Sequence, residues 1–293
     1  HLMVPIQEEE LKKIIPTDGP SISEVKSYLE KYNDEYIVIK CGGSVLVDQN
    51  LFDHFIDNIS ILNKLGFIPI IVHGGGKRIS NKLFESGIES KFLNGLRITD
   101  EKTIKIVEEV LIEFNKEIVE ALKNKKCAAE EINTKKNNII SVIKDDEKLG
   151  FVGSPNKINK TSLDKIINEK KVPVIAPLGL DEEGQSFNIN ADTAAGYIAK
   201  ELNARRLIIM SDVQGVLDKN KNLIPEINSK KIKELIEDDT ISGGMIPKIN
   251  NCLDVASNGV KGVVIIDGRK KHSILFELLS DKGSGTLIRQ WEI

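Results

Sequence analysis

The sequence predicts an α/β fold, a three-layer sandwich in which helices cover both faces of a mainly parallel, open sheet. Short apolar runs such as Ile37–Ile39, Phe67–Val72 and Val263–Ile266 have the length and β-branched content of buried strands. Segments with apolar residues at helical spacing separate these runs. Strands and helices therefore alternate, an order that favours right-handed parallel crossovers.

Residues 1–35 precede the first strand, and we expect them to form an N-terminal extension that contains a helix. Ser21-Ile22-Ser23-Glu24 matches a capping box. Four apolar residues share one face of the helix that follows: Ile22, Val25, Leu29 and Tyr32. This stripe must be buried, and the sequence leaves open whether its own domain or a partner subunit covers it.

Residues 36–185 are predicted to form an N-terminal lobe. Its strands are expected at Tyr36–Ser44, Phe67–Val72 and Val172–Gly179. Its helices are expected at Leu51–Leu65, from Lys77 to Gly87, and from a Thr99 N-cap through Phe114, after a loop at Phe92–Asp100. Residues 123–150 are expected to form strands and turns arranged as a hairpin.

Residues 186–293 are predicted to form a C-terminal lobe that continues the same sheet. Strands are expected at Arg206–Met210, Gly262–Gly268 and Thr286–Ile288. Helices are expected at Thr193–Glu201, Ile232–Glu237, from Gly243-Gly244 to Asn258, and at Ile274–Leu279. No repeat of solenoid period is evident.

Composition excludes several classes of protein. The 293 residues are 40% hydrophobic and 29% charged with a net charge of −3, so nothing predicts nucleic-acid binding. No apolar run reaches the roughly 20 residues of a membrane helix. Three widely spaced cysteines, Cys41, Cys127 and Cys252, form neither a disulfide framework nor a zinc motif. We therefore expect a protein of the reducing cytoplasm or an organelle matrix.

Two strand ends lead into glycine-rich turns, Lys40-Cys41-Gly42-Gly43 and His73-Gly74-Gly75-Gly76. Such turns expose backbone N–H groups at helix N-termini, where anions are favoured. In open parallel sheets, ligands bind at the carboxyl ends of strands. Neither turn is a Walker A or a G-x-G-x-x-G motif. The alternative for either one alone is a tight strand-to-helix turn.

Several charged or polar residues are candidates for phosphoryl-transfer chemistry, which depends on positioning and charge neutralisation. Lys40 ends a buried strand, whereas Lys248 follows Gly243-Gly244 at a helix N-terminus and needs a nearby anion there. Arg97 could clamp a carboxylate. Each has an alternative: a solvated or surface lysine, an arginine paired with a helix acid, an N-cap for Asp192 and a turn residue for Asn188.

Seven motifs in one order, spread over residues 36–288, resemble the amino acid kinase family, and within it the branch that phosphorylates N-acetyl-L-glutamate. They are Lys40-Cys-Gly-Gly, His73-Gly-Gly-Gly, Asn94-Gly-Leu-Arg-Ile-Thr, Leu149-Gly-Phe-Val-Gly, Asn188-Ile-Asn-Ala-Asp192, Ser211-Asp-Val-Gln-Gly-Val-Leu-Asp218 and Gly243-Gly-Met-Ile-Pro-Lys248. The resemblance implies ATP-dependent phosphorylation of the γ-carboxylate, the second step of arginine biosynthesis.

The resemblance also assigns roles to matching positions. Lys40 and Lys248 would neutralise the transferring phosphoryl group, and Asp192 would hold both lysines. Backbone N–H groups for phosphate and substrate would come from Gly42, Gly43, Gly74 and Gly75. Arg97 and Asn188 would bind N-acetyl-L-glutamate. The nucleotide would be flanked by Ser211, Asp212, Gly243 and Gly244, with Mg²⁺ held by its phosphates rather than by the protein. A carboxylate acceptor has a pKa of about 4 and needs no general base, so His73 is expected to shape the loop.

One segment departs from the family pattern, because Ala129–Asn138 lacks the glycines that relatives carry there. The N-terminal helix and the tail residues Glu277, Gly283 and Gly285 resemble the arginine-sensitive branch. That branch implies an arginine site at these residues and dimers that interlace their N-terminal helices into a homohexamer. The resemblance leaves open the binding of a PII-type nitrogen-signalling protein.

Two rival functions remain at the level of sequence. A related kinase could act on carrier-linked aminoadipate or glutamate, although the net charge gives no sign of a basic entrance for an acidic carrier. Alternatively, the chain could be a non-catalytic arginine sensor on a kinase fold, which the retention of Lys40, Lys248 and Asp192 argues against. An assay for acyl phosphate separates these readings.

Overall fold

The computed structural model describes residues 6–290 and contains one eight-stranded sheet that runs through both predicted lobes. Its strands are β1 (Ile37–Cys41), β2 (Ile70–His73), β5 (Ala129–Ile132), β8 (Val172–Ile175), β11 (Arg206–Ser211), β12 (Glu226–Ile227), β13 (Val263–Asp267) and β14 (Gly285–Ile288). Their order is β12-β14-β13-β11-β1-β2-β8-β5. Neighbours are parallel except β13 and β14, which are antiparallel.

Helices cover both faces of this sheet, as predicted. They are α1 (Glu8–Ile14), α2 (Ile22–Lys31), α3 (Gln49–Lys64), α4 (Gly76–Glu85), α5 (Glu101–Asn124), α6 (Lys160–Asn168), α7 (Ala191–Glu201), α8 (Ser229–Glu237), α9 (Met245–Ser257) and α10 (Ser273–Leu279). Val38 of β1 packs into the core with α6–α9, while Ile37 and Ile39 face the core with α1–α3 and α10. This alternation along one strand places a core on each side of the sheet.

The N-terminal extension packs on its own chain, which decides between the two alternatives for its apolar stripe. The capping box of Ser21 and Glu24 is present, and Val25 and Tyr32 are buried in the core beside α10. The helix α1, which we did not predict, buries Leu11 in the same core. Part of this extension, residues 1–5, lies outside the described residues, as do residues 291–293.

A second sheet of four strands lies beside the first, in the order β10-β9-β6-β7. Its strands are β6 (Ile140–Lys144), β7 (Gly153–Ile158), β9 (Leu178–Leu180) and β10 (Ser186–Asn188). The hairpin expected within residues 123–150 is formed by β6 and β7, so its second strand lies beyond that range. The strand expected at Val172–Gly179 is divided between β8 and β9, which belong to different sheets.

Two local predictions were wrong. The expected loop at Phe92–Asp100 contains a short hairpin, β3 (Phe92–Leu93) with β4 (Leu96–Arg97). The N-cap of α5 is Asp100, whose carboxylate accepts from the Thr103 N–H at 2.8 Å, rather than Thr99. Thr99 is fully buried, and its hydroxyl donates to the Arg97 carbonyl at 2.8 Å, so its side chain is not available as a cap.

The described residues contain no helix that is both long enough and apolar enough to cross a membrane. All three cysteines are buried and free. Cys41 lies in the core with α3, and burial raises the pKa of its thiol to about 12.

Candidate active site

The two glycine turns lie side by side because β1 and β2 are parallel neighbours at the centre of the sheet. The register pairs Cys41 with His73, so both turns leave the same edge of the sheet at the same height. A cavity of about 290 Å³ opens there. Seven predicted site residues line it: Lys40, Gly42, Gly43, Gly74, Gly75, Arg97 and Asn188.

Asp192 joins the two predicted lysines from opposite sides of one carboxylate. Lys40 Nζ lies 3.1 Å from Asp192 Oδ1, and Lys248 Nζ lies 2.9 Å from Oδ2. The second contact is a hydrogen bond, whereas the first is an ion pair without hydrogen-bond alignment. Lys40 is separated from the other two residues by more than 150 positions in sequence, and folding brings all three to one point.

The local structure explains why Asp192 is free to make these contacts. The N-cap of α7 is Asn190, whose side chain accepts from the Thr193 N–H at 3.0 Å, so the N-cap alternative for Asp192 is wrong. Burial opposes ionisation of Asp192, but the charges of Lys40 and Lys248 outweigh it and lower its pKa to about 2. The anion that Lys248 needs near the start of α9 is therefore this carboxylate.

The first glycine turn is braced by Asp212, at the end of β11. Asp212 accepts from the Ser44 N–H and from the Ser44 hydroxyl, both at 2.9 Å. Burial opposes its ionisation, but these donors and Lys77 hold the pKa of Asp212 below its usual value. Gly43 has φ +67°, and a Cβ there would lie 2.7 Å from Asp212 Oδ1. Glycine is thus required at this position by both conformation and space.

Lys77 is a third cation at the cavity, and the sequence reasoning did not single it out. Its Nζ lies 3.2 Å from Asp212 Oδ2 and 3.4 Å from Ser44 Oγ. Its side chain is 48% exposed, which leaves it free to move toward an anion. The signal was its position directly after the triple glycine, at the start of α4.

The second glycine turn presents fewer free amides than expected. The Gly74 N–H donates to the Cys41 carbonyl at 2.8 Å, so in this structure that amide does not face a ligand. Gly75 is the N-cap of α4, and a Cβ there would lie 2.4 Å from Leu111 Cδ2. Gly76, by contrast, has open space where a Cβ would stand. The amides at the start of α4 are therefore the ones suited to an anion.

Arg97 is buried, with 7% of its surface exposed, and forms no ion pair with a described acidic residue. Its guanidinium donates to the hydroxyls of Ser90 and Ser80 at 3.0 Å and to the Gly76 carbonyl at 3.1 Å. Phe92 stacks against it at 4.7 Å. Burial lowers the pKa of Arg97. A buried cation held only by neutral groups at a cavity wall is suited to a carboxylate ligand.

The remaining predicted residues lie around or away from this cavity. Asn188 lines it, and its amide lies 3.5 Å from Thr99 Oγ1. Ser211 ends β11, and its hydroxyl donates to the Ile266 carbonyl at 3.2 Å. Gly243, with φ +56°, and Gly244 precede α9 with open space around both. Ser211, Gly243 and Gly244 are not among the residues that line the cavity, and Gly243 and Gly244 lead into the helix that carries Lys248.

The tail residues form a separate cluster beside α2. Burial raises the pKa of Glu277, although the Ser284 N–H at 3.1 Å and the charges of Arg206 and Lys31 oppose the shift. Gly283 has φ +66° and closes around the same carboxylate. Gly285 belongs to β14, where a Cβ would lie 1.9 Å from the Ile265 carbonyl oxygen, so packing alone requires glycine there.

Among residues 6–290, no group of three or more His, Cys, Asp or Glu side chains is arranged to hold a metal ion.

The profile of the amino acid kinase family matches residues 35–267. The chain belongs to this family. An acetylglutamate kinase of Pelagibacter ubique (strain HTCC1062) is 69% identical over 288 residues, which cover 98% of this chain and 100% of the relative. An acetylglutamate kinase of Bradyrhizobium sp. (strain ORS 278) is 44% identical, with 94% and 98% covered. Within the family, the chain therefore groups with the acetylglutamate kinases.

A solved structure shares the fold at low sequence identity. It is N-acetylglutamate synthase from Neisseria gonorrhoeae complexed with coenzyme A and N-acetyl-glutamate, with a TM-score of 0.82 and 19% identity. The match covers 92% of this chain and 63% of that one. The likeness supports the family fold seen here, and the predicted fold class is confirmed.

Proposed function

We propose that this protein uses ATP to phosphorylate the γ-carboxylate of N-acetyl-L-glutamate, forming an acyl phosphate and ADP. The observation that carries the proposal is the carboxylate of Asp192, which holds Lys40 and Lys248 beside the glycine turns. The identity to acetylglutamate kinases over nearly the whole chain supports the choice of acceptor. The rival carrier-linked kinase and the non-catalytic sensor have no comparable support.

The chemistry fits the charges of the site. An oxygen of the acceptor carboxylate forms a bond to the γ-phosphorus while the bond to the bridging oxygen of ADP breaks. Both reactants are anions, so the main cost is bringing them together. Lys40 and Lys248 would offset that charge, while Arg97 would bind the other carboxylate of the substrate. Mg²⁺ carried by the ATP phosphates would neutralise part of the same charge.

A hydroxylamine trap tests this proposal, because an acyl phosphate reacts with hydroxylamine to give a coloured iron–hydroxamate complex. We expect product with N-acetyl-L-glutamate and little with glutamate, whose free amine carries a charge that the acetyl group removes. The matched variants are Lys40→Met and Lys171→Met, since Lys171 is a surface lysine that pairs with Glu130 and Glu169. No hydroxamate from the unaltered protein would contradict the proposed reaction.

We also propose that arginine inhibits the enzyme at the Glu277 cluster. A half-buried carboxylate with a raised pKa can accept a guanidinium, and α2 covers it from the N-terminal side. Lys31 and Arg206 already act on Glu277 through their charges, so a bound arginine would compete with them. Glu277→Gln should raise the arginine concentration for half-inhibition at least about tenfold without changing kcat. Equal inhibition of both proteins would exclude this site.

Assembly into a homohexamer stays a proposal that follows from the family resemblance. In this chain the extension packs on its own core, so interlacing through α2 would require its outer face. Sedimentation of the full chain measures the assembly directly, and a monomer at all concentrations would contradict it.

A further inference from the structure

A chain of three buried polar side chains, which we call the His73 relay, runs through the core behind the second glycine turn. It consists of His73, Asn115 and Asn133, which are 0%, 0% and 3% exposed. Asn115 Nδ2 lies 3.1 Å from His73 Nε2, and Asn133 Nδ2 lies 3.1 Å from Asn115 Oδ1. Buried polar chains persist in a core only when every member is satisfied, and here each member is.

The backbone fixes the direction of hydrogen bonding at the outer end of the relay. The N–H groups of Lys135 and Lys136 donate to Asn133 Oδ1 at 2.9 and 3.0 Å. Because a backbone N–H can only donate, Asn133 must present its Nδ2 to Asn115. These residues belong to the segment Ala129–Asn138, which departs from the family pattern.

The backbone also fixes the direction of hydrogen bonding at the inner end of the relay. Asn115 Nδ2 also donates to the Val174 carbonyl at 2.9 Å, so the same nitrogen donates to His73 Nε2. Nε2 is therefore an acceptor, and the ring proton lies on Nδ1. From there His73 donates to the Gly74 carbonyl at 2.9 Å.

This hydrogen bond determines where the next amide points. Gly74 is held on both sides, since its N–H donates to the Cys41 carbonyl and its carbonyl accepts from His73. The peptide bonds are trans, so the Gly75 N–H points away from the Gly74 carbonyl. It is therefore directed away from the imidazole, and Gly75 itself lines the cavity.

We propose that the His73 relay is a positioning device that fixes the Gly75 amide toward the phosphoryl group being transferred. His73, Asn115 and Asn133 do not touch the substrate. They act through the Gly74–Gly75 peptide, which they lock before any ligand binds. The identity of the anion rests on the proposed function, whereas the geometry of the relay does not.

The protonated imidazole does not fit this arrangement. A proton on Nε2 would face the Asn115 Nδ2, which is itself a donor; the amide is held in this orientation because its Nδ2 donates to the Val174 carbonyl and its Oδ1 accepts from Asn133 Nδ2. The ring of Phe114 packs edge-on against the imidazole, with 5.2 Å between the ring centroids, and supplies no negative charge to stabilise an imidazolium. Burial lowers the pKa of His73 to about 4, to which the charge of Arg78 adds, while the bond to Gly74 opposes the shift. His73 therefore stays neutral at working pH and cannot serve as a titrating base.

The first test reads the tautomer in the intact protein with ¹⁵N-labelled histidine. Long-range ¹H–¹⁵N correlation spectra distinguish a proton on Nδ1 from a proton on Nε2. We expect His73 to show the Nδ1–H form and no titration between about pH 5 and 8. A proton on Nε2, or titration in this range, would overturn the relay whatever reaction the protein catalyses.

The second test measures kinetics on variants. His73→Leu removes the donor and should lower kcat about 100-fold, with both KM values changed far less, because the amide acts on the transferring group. His73→Asn keeps a donor near the position of Nδ1 and should recover much of that loss. The packing control is Ile118→Val, because Ile118 is buried on α5 one turn beyond Asn115. Equal kcat for the two His73 variants would overturn the proposal.

Asn133→Asp isolates the far end of the relay. The carboxylate keeps both acceptor contacts to Lys135 and Lys136 but cannot donate to Asn115. We expect kcat to fall about tenfold and the Nδ1–H form of His73 to be partly lost. An unchanged tautomer with unchanged kcat would contradict the coupling. If the unaltered protein forms no acyl phosphate, the proposed function fails while the tautomer still decides the relay.

Discussion

Asp192→Asn replaces the carboxylate between two lysines with a neutral group of the same shape, and its effect can be worked out from the structure. The pKa of Asp192 is lowered from 3.8 to about 2, and this difference corresponds to about 2 kcal/mol. Removing one partner from a buried ion pair costs about 3–5 kcal/mol. The side chain of Asp192 is 21% exposed, which favours the smaller figure.

The sign of the pH dependence follows from the direction of the shift. The folded-state pKa is below the unfolded one, so the stabilisation is complete above about pH 4 and is lost as the pH falls through about 2. At pH 7 the free energy of unfolding of the variant should be about 2 kcal/mol lower than that of the unaltered protein, and its Tm about 4 °C lower. The difference in unfolding free energy between the unaltered protein and Asp192→Asn should shrink at the acid end of this window.

The kinetic effect should be larger than the effect on stability. Without the carboxylate, Lys40 and Lys248 repel each other and lose their common anchor, so kcat should fall about 100-fold. Steady-state kinetics and thermal unfolding on the same preparation measure both quantities. Asp254→Asn, which removes a surface partner of Lys200, is the control. A variant with normal kcat would refute the role assigned to Asp192.

Three further predictions, made with four substitutions, separate the parts of the site. Arg97→Lys should raise KM for N-acetyl-L-glutamate about tenfold or more and leave KM for ATP nearly unchanged, since an ammonium cannot make the bidentate contact; equal effects on both would contradict it. Gly75→Ala should lower activity because its Cβ would clash with Leu111, whereas Gly76→Ala should lower it less because the space there is open. Steady-state rates of the two variants test this, and an equal loss of activity would argue against the steric reason. Lys77→Met should raise KM for ATP about tenfold, and an unchanged value would remove it from the phosphate site.

Long periodic elements were predictable because burial imposes their spacing. The helices α2, α3 and α5 carry apolar residues at helical intervals, and β1 and β13 each begin with a continuous apolar run, Ile37–Ile39 and Val263–Ile266. The strands β3, β4, β9 and β10 have two or three residues each, too few for a period to show. The helix α1 was not predicted because it lies in a charged segment and Leu11 is its only buried residue.

The site was partly predictable for a different reason. The motifs identified Lys40, Asp192 and Lys248, and the family resemblance implied that Asp192 holds both lysines. The structure adds the geometry, in which each lysine lies against a different oxygen of that carboxylate. Thr99 and Asp100 are adjacent residues that can both cap a helix, and burial of Thr99 decided between them. Asn115 was missed as a polar helix residue, although its spacing of four from Leu111 places it on the buried face of α5.

The transfer of label from [γ-³²P]ATP most directly tests the central claim that this site phosphorylates a carboxylate. With N-acetyl-L-glutamate present, we expect the label in a product that hydroxylamine cleaves, and we expect none when the acceptor is omitted. Lys40→Met should suppress this transfer strongly. Label released only as inorganic phosphate, at the same rate with and without the acceptor, would contradict the account.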